Sequence, residues 1–397
     1  MAFEPTERYG ELRAECPFHR VDDHDPPFYV LSRFDDVVDT LKQPDLWRNG
    51  DGPGVFYQEA GVLGTTDEPA HSRQRHVLRA SFLPTAVQRL RPRVEAIARE
   101  LLDAFLPGGE GDFVSAFAAP FPALVIAELL GVPGDARDEF HRHADTAVAA
   151  LTGGDVDRYR EAKGALERHI ERGLSVRDEL MARVGGAPSL DLIGGVLPDD
   201  VLSRLAVARA DGTITTQEAL HLGYQLLVAG HETTTSLLGM MLYRLLEHPE
   251  LLSRLRVEPT LLRPAIEEAL RFDSPVHGLF RTNATETVVH GVDVPPRTKV
   301  QVLYASANRD PSRFTDPDEF RIDRDAHELG RHVAFGWGIH HCIGAPLARL
   351  EAEVAFTMLL HRTASLELAA PPERNRSFVL HGLTHLPIRW TLEPKRT

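Results

Sequence analysis

The chain has 397 residues, 43% of them hydrophobic and 26% charged, a globular mixture able to bury a large core. Its 58 acidic and 44 basic side chains leave a net charge of −14, which repels phosphate backbones and makes nucleic acid a poor partner. Two cysteines offer no disulfide framework and suit a reducing cytoplasm, and residues 1–16 hold no apolar run of the kind that leads or anchors a chain at a membrane.

From the N-terminus, the pattern predicts a short strand over Phe28–Leu31 and then a helix with Phe34, Val37, Val38 and Leu41 on one face. Residues 51–66 are glycine-rich and carry Phe56, Tyr57, Val62 and Leu63, so this loop either covers something or packs down on its own aromatics. His71 and Arg75 stand four apart and share a helix face; by themselves they read as a solvated basic face. Residues 87–106, 121–130 and 137–183 are helical in pattern, broken by glycine and proline at 107–109, 131–134 and 153–154. Residues 185–198 form a low-charge linker with four glycines and two prolines. This middle third says helical bundle and nothing about chemistry.

Thr215-Thr-Gln-Glu218 reads as a capping box opening a helix that runs to about His248, where Pro249 stops it. At ~1.5 Å per residue it is roughly 50 Å long, yet Gln225, His231, Glu232 and several hydroxyls interrupt its apolar run and argue against a membrane span. Inside it lies Ala229-Gly230-His231-Glu232-Thr233-Thr234, where glycine and adjacent β-branched threonines are poor helix formers. Broken local rules mark either a functional site or a tight helix crossing. Threonine hydroxyls there are expected to bond backbone carbonyls and open a notch.

Glu268 and Arg271 lie three apart on the next helical stretch and are able to pair. Residues 275–281 then read as an extended apolar segment in which His277 is the odd polar residue, expected to face solvent rather than to meet a substrate oxygen. Residues 287–302 alternate around Gly291 and Pro295–Pro296 and predict one antiparallel hairpin. Residues 366–390 read as strands with a turn near Gly382, with Val379–Leu380 returning toward a pocket.

The stretch that carries chemistry is Phe335-Gly-Trp-Gly-Ile-His-His-Cys-Ile-Gly344. Gly336, Gly338 and Gly344 let the backbone fold tightly against something flat. Pro346, then Leu347, Leu350, Val354 and Met358 at helical spacing, start a helix just behind Cys342. Amides at a helix N-terminus favour a thiolate, and a thiolate in a glycine-rich loop is suited to a haem iron. Taken alone, Cys342 also fits a small buried hydrophobe. Zinc does not fit, because the other cysteine, Cys16, is far away and there is no Cys-x-x-Cys pair.

With every defined position filled, Phe335-Gly-x-Gly-x-His340-x-Cys342-x-Gly344 resembles the haem-binding signature of the cytochrome P450 family of haem-thiolate monooxygenases. Ala229-Gly230-x-Glu232-Thr233-Thr234 is similar to that family's oxygen-activation motif, with the glutamate variant of its acid. His71-x-x-x-Arg75, Glu268-x-x-Arg271, residues 307–311 and residues 314–317 match further landmarks in the family's order.

The resemblance implies a mainly α fold with a small β-rich lobe, the long central helix lying over the haem, in one catalytic domain spanning 1–397. It implies haem b, ligated through its iron by Cys342. His71, Arg75, Arg281 and His340 would hold the propionates, Phe335, Gly336 and Gly344 would shape the loop, and Ala229 and Gly230 would leave room above the haem. Thr233 would hydrogen-bond dioxygen and Glu232 would pass protons inward. Glu268, Arg271 and Arg324 would form a structural triad.

A soluble, cytoplasmic monomer of the bacterial type follows, taking electrons from ferredoxin and ferredoxin reductase. Arg73, Arg79, Arg331, His332 and Arg349 are candidates for a basic docking patch. Phe56, Tyr57, Val62, Leu63, Val228, Val276, Leu279 and Val379 suggest an apolar pocket for a hydrophobic small molecule such as a terpenoid, steroid, fatty acid or polyketide-like metabolite. Three other readings stay open: a peroxide-using peroxygenase, a haem-binding sensor without turnover, and a helical scaffold with a core cysteine.

Overall fold

The computed structural model describes residues 5–59, 61–137, 139–140, 142–144, 146–147, 155–375, 377 and 379–394. Its axis is the central helix Thr216–Glu247, which starts where the sequence marks it. Thr215 Oγ1 accepts from the Glu218 N–H at 3.1 Å, and Glu218 Oε2 accepts from the Thr215 N–H at 2.8 Å. Leu222, Leu226, Leu227, Leu238, Met241 and Leu245 are all buried, as expected of a helix covered on several sides. Helices Pro120–Leu130, Val156–Val184, Val201–Ala210 and Ala345–Arg362 pack around it. Among the described residues no helix is long and apolar enough to cross a membrane.

The helix Val201–Ala210 was not expected from the pattern. Asp200 caps it, accepting from the Ser203 N–H at 2.7 Å, and it is buried almost all round. Such a segment has no amphipathic period to read, and tertiary burial decides it. The helical pattern expected over 137–183 is found in the described residues of 137–147, which are helical, and in the helix Val156–Val184, and the break expected at 153–154 lies outside the described residues.

The strands are β1 (Phe18–Val21), β2 (Phe28–Leu31), β3 (Trp47–Arg48), β4 (Glu110–Asp112), β5 (Leu279–Asn283), β6 (Thr287–Val289), β7 (Val292–Val294), β8 (Lys299–Val302), β9 (Thr363–Leu368), β10 (Glu373–Arg374), β11 (Leu383–His385) and β12 (Pro387–Leu392). The largest sheet runs β1-β2-β8-β5-β3, with β2 and β8 parallel. This corrects the single hairpin expected over 287–302. Only β6 and β7 pair as a hairpin, turned by His290 and Gly291, both at positive φ. Every residue of β8 is buried, so it needs partners on both edges and finds them in β2 and β5.

The turn expected near Gly382 falls just before it, the Gly382 carbonyl itself accepting from the Asn375 N–H at 3.1 Å, and its packing explains the glycine. A Cβ there would lie 2.3 Å from Ser236 Oγ and 2.9 Å from Ser236 Cβ on the central helix. Only glycine lets the C-terminal strands lie this close.

A buried ion cluster ties the helix Leu262–Phe272 to the irregular chain leading to Cys342. Arg271 donates to Glu268 through two bonds of 2.7 and 2.8 Å, and Arg324 joins the same carboxylate at 3.1 and 3.3 Å. Arg271 also donates to the carbonyls of Asn308, Pro317 and Glu319. Nearly all its hydrogen-bonding capacity is spent on the segment it holds in place.

Candidate active site

One cavity is lined by Ala229, Gly230 and Thr233 of the central helix, by His71 and Arg75, by Arg281 of β5, and by Phe335, Gly336, His340, Cys342 and Gly344 of the glycine-rich loop. The loop owes its shape to local geometry. Gly336 and Gly338 sit at φ +69° and +71°, and a Cβ on Gly338 would come within 2.4 Å of the Leu41 carbonyl oxygen. The Cys342 N–H donates to the Phe335 carbonyl at 2.9 Å, closing the loop.

Cys342 is exposed and lines this cavity. Burial pushes its thiol pKa up, although the amides of Gly344 and Ala345 and the Arg75 guanidinium pull the other way. The helix N-terminus alone therefore does not make the thiolate expected from sequence. A metal cation at the sulfur would deprotonate it outright.

At one end of the cavity basic side chains crowd together. The His71 and His340 rings lie 4.2 Å apart, centroid to centroid. His71 Nδ1 meets Glu68 at 3.2 Å, while His71 Nε2 and both ring nitrogens of His340 are buried with no hydrogen-bond partner. Burial and the nearby Arg281, His71 and Arg75 press the His340 pKa down to about 3. Arg75 donates to the His341 carbonyl at 2.8 Å and Arg281 to that of Phe280 at 2.9 Å, leaving other guanidinium N–H groups for a ligand.

Orphaned buried donors beside two arginines are costly unless an anion completes them. The propionates of a haem do so, and the Cys342 sulfur in the same cavity is the ligand its iron needs. The residues fit the group.

On the central helix the Thr233 hydroxyl donates to the Ala229 carbonyl at 2.7 Å, and Thr235 donates to the His231 carbonyl at 3.0 Å. The hydroxyls do bond backbone carbonyls, but the helix stays continuous through this point, so the expected opening does not form. Thr233 lines the cavity; Glu232, beside it and half-buried, does not.

Of the pocket residues expected from sequence, Leu63, Val276 and Leu279 line the cavity. Phe56 and Tyr57 do not. They are 60% and 43% exposed, and the Tyr57 hydroxyl donates to the Arg297 carbonyl. Val62 is buried in the core, Val228 lies outside the lining, and Val379 uses its carbonyl to accept from the His277 N–H at 2.7 Å. The loop 51–66 thus turns only its last residues inward. His277 is buried too, contrary to expectation, with Nδ1 3.0 Å from the Tyr9 hydroxyl and its ring stacked on His381.

The lining also includes Phe82, Ile126, Leu226, Leu237 and Glu351, which sequence reasoning missed. Glu351 had a readable signal: an acid four residues after Leu347 and three before Val354, on the apolar face of its helix. Its Oε2 has no hydrogen-bond partner, and burial lifts its pKa well above the usual carboxylate range.

The expected basic patch is largely neutralised. Glu267 holds His332 at 2.9 Å and Arg349 at 2.6 and 2.8 Å, and Arg73 pairs with Glu218. Arg79 and Arg331 remain exposed.

Comparison with known proteins agrees with this site. The Cytochrome P450 family model matches residues 197–386. Cytochrome P450 107B1 of Saccharopolyspora erythraea is 36% identical over 403 residues, covering 96% of this chain and 94% of that protein. The 6-deoxyerythronolide B hydroxylase of the same organism is 37% identical over 405 residues, covering 96% and 95%. The solved structure of cytochrome P450 CYP109Q5 from Chondromyces apiculatus superposes with a TM-score of 0.85 at 32% identity, over 98% of this chain and 96% of that one. Cavity, cysteine loop, helix motif and full-length likeness agree: the chain belongs to the cytochrome P450 family and is a bacterial haem-thiolate monooxygenase, an oxidoreductase.

Proposed function

We propose that Cys342 ligates the iron of haem b and that His71, Arg75, Arg281 and His340 hold its propionates, in one catalytic unit spanning residues 1–397. The observation that carries this reading is a single cavity combining the Cys342 sulfur, the Ala229–Gly230–Thr233 edge and a set of unsatisfied buried donors. Haem bound there supplies the redox chemistry that activates dioxygen and inserts one of its atoms into a substrate C–H bond. Glu268, Arg271 and Arg324 fix the chain that carries the cysteine loop.

Ala229 and Gly230 present almost no side chain to the cavity and leave room for a small ligand. Thr233 is a hydrogen-bonding switch. While its proton goes to the Ala229 carbonyl, its oxygen lone pairs face the cavity as acceptors; released, the same hydroxyl becomes a donor. Glu232, half-buried behind it, accepts protons from water and hands them toward Thr233. The apolar wall of Leu63, Phe82, Ile126, Leu226, Val276 and Leu279 binds a hydrophobic small molecule and excludes water from the reaction.

One relative is a hydroxylase of 6-deoxyerythronolide B, which puts that compound first in a substrate panel with steroids, terpenoids and fatty acids. Electrons come from a ferredoxin and its reductase, to a monomer in the cytoplasm.

The deciding experiment is the carbon-monoxide difference spectrum of the reduced protein. A strongly red-shifted Soret band in the wild type, lost in Cys342→Ser, is the expected result. A wild-type spectrum of histidine-ligated haem would overturn the role given to Cys342.

A further inference from the structure

Outside the cavity, a second cluster brings two imidazoles and a carboxylate together. Glu139 and His143 are one helical turn apart, and His169 faces them from the helix Val156–Val184. Glu139 Oε1 lies 3.6 Å from His143 Nε2, and Glu139 Oε2 lies 3.7 Å from His169 Nε2. One ligand atom from each residue lies within 4.8 Å of the others. None of the three lines the haem cavity.

We propose that Glu139, His143 and His169 bind a divalent transition-metal cation, with Zn2+ the best match, and that the ion staples the two helices together. Both carboxylate–imidazole separations are too long for hydrogen bonds. They come close to the spacing between ligands around a tetrahedral zinc, about 3.4 Å for bonds of about 2.0–2.2 Å. Two imidazoles and one carboxylate suit zinc and its neighbours in the first transition row, whereas calcium and magnesium call for oxygen ligands throughout. Three protein ligands leave the fourth position to water. His169 is only 9% exposed, and the edge of a perpendicular Phe140 contact, with centroids 5.8 Å apart, holds its ring in place.

One contact opposes the ion, and it makes the proposal specific. Arg172 Nη2 lies 2.9 Å from His169 Nδ1, where it can only donate. That bond puts the imidazole proton on Nε2, the nitrogen facing Glu139. Metal binding at Nε2 therefore moves the proton to Nδ1 with no net proton change, and the exposed Arg172 turns out to solvent. Removing the guanidinium should help the ion bind.

The test is a Zn2+ titration of the full-length, haem-loaded protein by calorimetry in a non-chelating buffer, with thermal unfolding in parallel. One zinc per chain is expected, together with a rise in Tm. Glu139→Gln and His143→Ala, both at solvent-accessible positions, should keep the metal-free Tm and weaken zinc by roughly tenfold or more. Arg172→Gln should bind tighter than the wild type. No zinc binding by the wild type, binding unchanged in His143→Ala, or Arg172→Gln binding no tighter than the wild type would each overturn the proposal.

Discussion

Two buried clusters of ionisable residues flank the cysteine loop, and they are built on opposite principles. In the Glu268 cluster the carboxylate takes Arg271, Arg324 and the Arg321 N–H, and the arginines spend their remaining donors on backbone carbonyls and, for Arg324, on Glu328. Around His71 and His340 three ring nitrogens are left without partners, and burial with the nearby arginines disfavours a charge on His340. Buried polar groups cost stability unless hydrogen-bonded. The first cluster is therefore a device for holding shape. The second is a shape held open at the expense of stability until an anionic ligand completes it. What a buried arginine or histidine does is read from the bonds it has not yet made.

The contrast breaks if the two clusters respond alike to truncation. Glu268→Ala strands two buried guanidinium groups and should cost about 3–5 kcal/mol of folding stability, seen in denaturant unfolding of haem-free and haem-loaded protein alike. His340→Ala should leave the haem-free protein no less stable, since it removes unsatisfied nitrogens. It should weaken haem binding by about 1.5–3 kcal/mol, roughly ten- to hundredfold, in a competition assay with a haem acceptor. Equal losses of haem-free stability in the two variants would erase the distinction.

A smaller effect sharpens it. Glu267 belongs to the satisfied kind: although burial raises its pKa, bonds from Arg349 and His332 outweigh that and bring it from 4.5 to about 2. Its folded pKa lies below the unfolded one, so the stability it adds is present above about pH 4.5 and is lost as pH falls toward 2. After allowing for its partial exposure this amounts to about 1–2 kcal/mol. Glu267→Gln should be destabilised by that much at pH 7, with the gap to wild type closing on acidification. A gap that persists at low pH would assign the effect to packing.

Local signals were legible in the sequence wherever neighbours along the chain decide the outcome. Thr215 and Glu218 cap the central helix across three residues, Phe34, Val37, Val38 and Leu41 turn one face inward within two turns, and the loop glycines enclose Cys342. Such features depend on hydrogen bonds and backbone angles within a few residues, which composition and spacing describe directly. The motif residues from His71 to Gly344 were legible through their resemblance to the signatures of the cytochrome P450 family, not through local rules alone.

The tertiary structure decided what depends on distant partners. Lys299–Val302 could be seen as a strand, but its pairing with β2 and β5, far away in the chain, could not. Phe56 and Tyr57 look like pocket residues and end in solvent, while His277 looks like a surface residue and ends buried against Tyr9 and His381. The union of His71 and His340 into one set of unsatisfied donors is likewise a matter of three-dimensional approach. By itself the sequence determined most of the elements, though not the helix Val201–Ala210, and the chemistry of the groups they carry. Which groups meet, and which are left without a partner, was decided by packing, because burial sets the cost of a missing hydrogen bond and only the fold assigns burial.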